Sequence, residues 1–270
     1  MTIDHAGSGA EFADRLYSLV ACAAEQPDVR AAVEANHDDN RWWPLSVPDW
    51  RVRMTVAGWS TRISYAMIST YSDIVARADA LGWACLTTLD DVTLSALVRP
   101  LGLTASRVSY LRSLAAFVGA ADEKGTDLSA MHVDDLVRLF AAGVHGAGYK
   151  VAQCATLYAR GYHCGIIPVD TGMVTRLAPF LGVPLGKGPA AHEQLRRLLE
   201  SATSAQAVGY RDLAARIGYR VQIPENAAPT WFVHLVLIYF KRLYLNRPRP
   251  RVCSRLPACP RFLDCACAVP

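Results

Sequence analysis

The stretch that decides the fold is His145-Gly146-Ala147-Gly148-Tyr149-Lys150-Val151-Ala152, followed downstream by Pro168-Val169-Asp170-Thr171. Helical periodicity enters it over Val133 to Phe140 and leaves it over Lys150 to Tyr158. Two glycines separated by one residue therefore read as a tight hairpin between helices. Backbone N–H groups at such a turn can point outward at an anion, and the positive end of the second helix adds to the attraction. Lys150 falls in the first turn of that helix, where the dipole opposes its charge; an amine so placed is a candidate nucleophile. The plainer reading of the same residues is a glycine-rich helix connection with a solvated lysine.

Outward from the hairpin the pattern stays helical. Val52, Val56, Ile63, Met67 and Ile68 recur at helical spacing, as do Leu94, Leu97, Val98 and Leu101. Asp90, Asp91 and either Thr104 or Ser106 are suited to N-caps, and Gly102 and Gly119 to helix ends. Further helices are expected near Ala10 to Ala24, Val29 to Asn36, His192 to Ser201 and Tyr210 to Ile217. Trp42, Trp43 and Trp50, with Pro44 and Pro48, mark a connecting segment whose aromatics fill core gaps. Gly161 to Gly165 breaks the helix after the hairpin, and Ile166-Ile167-Pro168-Val169 reads as a loop delivering Asp170 to the next helix. Pro168 argues against a strand there, and no apolar-polar alternation appears elsewhere, so the expected fold class is all-α.

With 270 residues, 52% of them hydrophobic, the chain can bury a substantial core as one large domain or two lobes. Its most apolar run, Trp231 to Phe240, contains His234 and is too short to span a bilayer. The start of the chain lacks a basic-then-apolar signal pattern, and the expected location is cytoplasmic. A net charge of +4 is mildly basic and would not by itself suggest nucleic acid. Lys241, Arg242, Arg247, Arg249, Arg251, Arg255 and Arg261 do crowd together; such a run is ordinarily a solvated surface, although beside four cysteines it suits a phosphate-contacting loop.

The run from Gly143 to Ala152 with Val169-Asp170-Thr171 resembles the helix-hairpin-helix DNA glycosylases of the endonuclease III type, whose pattern is L-P-G-V-G-x-K-T-A and, about twenty residues on, V-D-T-H. Val98-Arg99-Pro100-Leu101-Gly102-Leu103 with Ser106-Arg107 is similar to the family's I-x-x-x-G-L-x-x-S-K-A segment. The resemblance spans roughly Asp49 to Leu181 plus the cysteine-rich tail. It implies two α-helical lobes with a substrate cleft between them, and the expected division is residues 1–48, an N-terminal helical segment; 49–181, the lobe with the hairpin; 182–252, the rest of the second lobe; and 253–270, the cysteine cluster. The implied partner is duplex DNA, bound by a monomer.

Base removal cleaves a C–N bond through a cation-like sugar, which a carboxylate can stabilise; Asp170 is the candidate. An amine attacking C1′ gives a Schiff base that permits β-elimination, and Lys150 is the candidate amine. Asp170 before Thr171 is also a good N-cap. Flipping the target base out of the duplex calls for side chains that fill the hole. Where the family carries Gln-Gln-Thr or Gln-Ala-Thr this chain has Trp59-Ser60-Thr61, so the amide wedge is missing; Trp59 can stack on a base or lie in the core, and Leu103 matches the other wedge position. With Gly146, Gly148 and Tyr149 at the hairpin, Trp59, Ser60 and Leu103 complete the expected DNA contacts. Gly172 stands where the family pattern has histidine.

Of eight cysteines, Cys22, Cys85, Cys154 and Cys164 read as small buried hydrophobes. Cys253, Cys259, Cys265 and Cys267 crowd together as metal ligands do, and the resemblance implies a [4Fe-4S] cluster. Their spacing, C-x5-C-x5-C-x-C, departs from the family's C-x6-C-x2-C-x5-C, and Phe262 falls where the third ligand is expected, so a four-thiolate zinc site and no metal both stay open. The expected function is a base-excision DNA glycosylase, with abasic-site lyase activity if Lys150 attacks. The alternatives are an N-glycosidase for a free nucleotide or nucleoside and a noncatalytic DNA-binding module.

Overall fold

The computed structural model of the protein describes residues 5–37 and 46–246, and every regular element among them is helical. The helices are α1 (His5–Ala24), α2 (Pro27–Glu34), α3 (Trp50–Trp59), α4 (Ile68–Thr88), α5 (Asp91–Val98), α6 (Thr104–Glu123), α7 (Val133–Gly143), α8 (Tyr149–Arg160), α9 (Ala178–Phe180), α10 (Ala190–Ala205), α11 (Ala207–Ile217) and α12 (Thr230–Phe240). Two short 3-10 turns, Tyr65–Met67 and Arg99–Leu101, and two π-helical turns, Met173–Leu177 and Lys241–Leu245, complete the set. The all-α expectation is met.

The chain divides into two compact units, one from residues 1–38 with 165–270 and one from residues 39–164. In the terminal unit α12 is apolar all round and almost wholly buried, which suits a core helix. It packs on α1, α2 and α10. No described helix is long and apolar enough to cross a membrane. The stretch read from sequence as one lobe over 49–181 is cut at Gly165, because the turn after Asp170 packs against α10 and the π-helical turn that follows α12.

The central unit is built on α3, which buries Val52, Met54, Thr55, Val56, Ala57 and Trp59 and packs on α8, α4 and α6. Its start is fixed by Asp49, whose carboxylate accepts the Arg51 N–H at 2.9 Å. Trp50 opens the helix half-buried; Trp42 and Trp43 lie outside the described residues. Asp90 caps α5 as expected, accepting the Thr93 N–H at 2.8 Å. Neither Thr104 nor Ser106 caps α6. Gly102, at φ +68°, ends the preceding turn, and Leu103 re-enters the helix at once in a left-handed conformation with no capping side chain. Gly119 lies inside α6 and not at its end.

At Gly58 the α3 backbone lies directly against the ring of Tyr110, whose hydroxyl donates to the Met54 carbonyl at 2.8 Å. A glycine inside a helix costs stability relative to alanine, so its use here reflects the close approach. Gly58→Ala drives a methyl into the ring, and the expected loss is about 2 kcal/mol, seen as a lower urea midpoint and melting temperature.

Candidate functional site

Lys150 and Asp170 belong to different units, and each is built by its own local structure. The hairpin takes the expected form. Helix α7 ends at Gly143, Val144 leaves it in extended backbone, and Gly146 turns the chain at φ +79°, where a side chain would be strained. The Ala147 N–H closes the turn on the Val144 carbonyl at 3.1 Å, and the His145 N–H donates to Ser113 Oγ at 2.8 Å, pinning the hairpin to α6. Val144 and Ala147 are buried, whereas Gly146 and Gly148 are exposed with open space where a Cβ would stand. Gly148 begins α8 without a capping side chain, which leaves the first-turn N–H groups to face an anion. Tyr149 is half-buried and Lys150 exposed in that first turn.

The Lys150 ammonium lies 3.5 Å from Cys154 Sγ, one turn along α8. Cys154 is buried close enough to Tyr71, Tyr110 and Tyr158 to add to what their burial does, which is to push all three phenols above the ordinary tyrosine range. Those hydroxyls stay neutral donors; Tyr71 donates to the Val56 carbonyl at 3.3 Å.

The expected wedge residues separate. Trp59 is fully buried, with its indole N–H on the Arg107 carbonyl at 3.2 Å, so the base-stacking reading is corrected to core packing. The reason is its place among the inward residues of α3. Ser60 is half-buried at the end of that helix, its hydroxyl on the Ala57 carbonyl at 2.7 Å and near Tyr158, a helix-end role. Leu103 is 46% exposed and left-handed. Arg107 holds this turn. Its buried guanidinium donates to the carbonyls of Gly102 at 2.8 Å, Leu101 at 3.0 Å and Thr61 at 3.1 Å, and also to that of Trp59. Burial lowers the affinity of Arg107 for its proton below the usual arginine range, opposed by Tyr71. Four carbonyls satisfying one cation tie the end of α3 to the Gly102-Leu103 turn.

Asp170 follows Ile166, Ile167 and Val169, all fully buried. The Ile167 N–H donates to Glu200 Oε1 at 2.9 Å, and Glu200 is itself held by the buried Arg196 at 2.7 Å, which anchors the loop to α10. Asp170 Oδ1 accepts the Met173 N–H at 2.8 Å, confirming the capping role. Its other oxygen, Oδ2, is paired with the ammonium of Lys241. Lys241 is thereby corrected from a member of a solvated basic run to a buried cation, its side chain 3% exposed against 24% for Asp170. Arg242, next along, is exposed and lies 5.4 Å over the Tyr239 ring. A Cβ at Gly172 would stand 3.1 Å from Lys241 Nζ, 3.2 Å from its Cδ and 3.4 Å from Asp170 Oδ1. Sequence reading missed the pairing; the signal was a cation directly following a largely apolar helix, which must find a counter-charge if it is buried.

Among the described residues no cluster of His, Cys, Asp and Glu could hold a metal ion. Cys253, Cys259, Cys265 and Cys267 lie outside the described residues. No family model and no curated protein matches the chain. Among solved structures, the 8-oxoguanine DNA glycosylase of Thermotoga maritima is similar with a TM-score of 0.47 and 13% identity, over 83% of this chain and 95% of that one.

Removing the Asp170 charge leaves a buried ammonium without this carboxylate. Asp170→Asn is expected to cost on the order of 3 kcal/mol, read by urea denaturation, and Asp170→Asn with Lys241→Met to regain most of it. Equal losses in the single and double variants would mean that the cost does not come from an orphaned buried ammonium.

Proposed function

We propose that the protein is a base-excision DNA glycosylase acting on a damaged or modified base in duplex DNA, with abasic-site lyase activity. The observation that carries this reading is the hairpin, in which an open glycine turn and an uncapped helix start face solvent beside the first-turn amine of Lys150. A phosphate suits the N–H groups of such a turn, and a sugar carbon near that phosphate suits the amine.

In this reading Asp170 stabilises the positive charge that develops on the sugar as the C–N bond breaks, and the departing base takes the electron pair of that bond. Lys150, after losing a proton, forms a bond to C1′; opening of the sugar ring gives the Schiff base, and loss of a C2′ proton expels the 3′ phosphate by β-elimination. Leu103, exposed on a turn that Arg107 holds rigid, fills the hole left by the flipped base. Gly146, Gly148 and Tyr149 contact the phosphate backbone.

Cys253, Cys259, Cys265 and Cys267 are proposed to hold a [4Fe-4S] cluster; four thiols are the donor set such a cluster takes, and zinc is the rival occupant. When bound, the cluster would cross-link the tail and couple its folding to assembly.

Borohydride added to the protein on an abasic duplex is expected to trap a covalent adduct mapping to Lys150, and Lys150→Ala to abolish it with the melting temperature unchanged. Undiminished trapping in that variant would remove Lys150 from the mechanism. Anaerobically purified protein is expected to be brown and Cys259→Ser to bleach it. A colourless wild type containing zinc or no metal would refute the cluster and leave the hairpin reading standing.

A further inference from the structure

We propose that Lys241 is the positioning residue for Asp170, and that Gly172 supplies the space its ammonium needs. The inference rests on the base-excision reading for the role of Asp170 and goes beyond it in naming what holds that carboxylate.

Gly172 has φ −69° and ψ −29°, ordinary helical backbone that any residue adopts. Its glycine is therefore unnecessary for conformation and costs about 1 kcal/mol against alanine in a helix. What it provides is room, because a Cβ there would approach both the Lys241 ammonium and Asp170 Oδ1. Any side chain at this position requires Lys241 to shift by a few tenths of an ångström from where it stands. The departure at 172 and the cation at 241 thus form one feature.

The second support is backbone geometry. Asp170 leads into the π-helical turn Met173–Leu177, Lys241 begins the π-helical turn Lys241–Leu245, and the two turns pack together, with Arg176 Nη1 donating to the Leu245 carbonyl at 2.7 Å. Widened turns of this kind are rare and frequent at functional sites. Here they bring the lysine and the carboxylate together.

The outcome is a carboxylate fixed from two sides, Oδ1 by the Met173 N–H and Oδ2 by Lys241. The partly exposed side chain is reachable from solvent. Holding it in one rotamer removes a reorganisation step from base release without contributing to DNA binding.

The test compares wild type, Lys241→Met and Gly172→Ala by single-turnover release of a modified base, by duplex affinity, and by the ¹⁵Nζ signal of Lys241, which shielding from solvent should make observable. Lys241→Met is expected to lower the release rate at least tenfold while changing the Kd for duplex less than twofold. Gly172→Ala, which displaces the lysine but keeps it, should fall between the two and weaken the Nζ signal. A Lys241→Met rate equal to wild type would overturn the positioning role, as would an unchanged Nζ signal in Gly172→Ala. Borohydride trapping that survives Lys150→Ala but disappears on adding Lys241→Met would overturn it by making Lys241 the nucleophile. A wild type that releases no base yet shows the Nζ signal, lost in Gly172→Ala, would refute the base-excision reading while upholding the pairing of Lys241 with Asp170.

Discussion

The terminal unit depends on a buried charge finding its partner. Helix α12 brings an apolar surface to the centre of that unit and ends in Lys241, whose ammonium is almost wholly withdrawn from water. An unpaired charge in such a place costs several kcal/mol, so the position of Asp170 is constrained by folding as well as by any chemistry it performs. The buried loop before it, the Glu200 carboxylate under Ile167 and the widened turn after it serve the same end. Each removes a degree of freedom from one carboxylate.

The central unit solves a different problem with similar means. Its hairpin and its Leu103 turn are both exposed backbone features, and exposed turns are ordinarily mobile. Arg107 counters this by satisfying four carbonyls at once, and the Ser113 hydroxyl does so by receiving the His145 N–H. The parts offered to a ligand are thus the outer faces of turns whose inner faces are fixed. That is how a surface of modest net charge can still present donors and an apolar side chain in defined places.

Legibility from sequence followed the range of the interactions. The hairpin, the capping carboxylates of Asp90 and Asp170 and the helix that supplies Lys150 rest on contacts within a few residues, and they could be read directly. The Lys241 pairing spans 71 residues of chain, which no local pattern encodes, so the lysine was grouped with its basic neighbours. Trp59 was ambiguous because a tryptophan at helical spacing serves core and interface equally well, and only its full burial decides. Gly172 was visible as a departure but acquired a reason only when Lys241 was found beside it.

The central claim, that this chain removes a base from duplex DNA through Asp170, is tested most directly by mass detection of free base released from a panel of duplexes, each carrying one modified base. The protein and its variant Asp170→Asn would be assayed side by side. The account predicts release of at least one modified base by the wild type and none by the variant. Release from free nucleosides alone, equal release by both proteins, or no release from any duplex would contradict it.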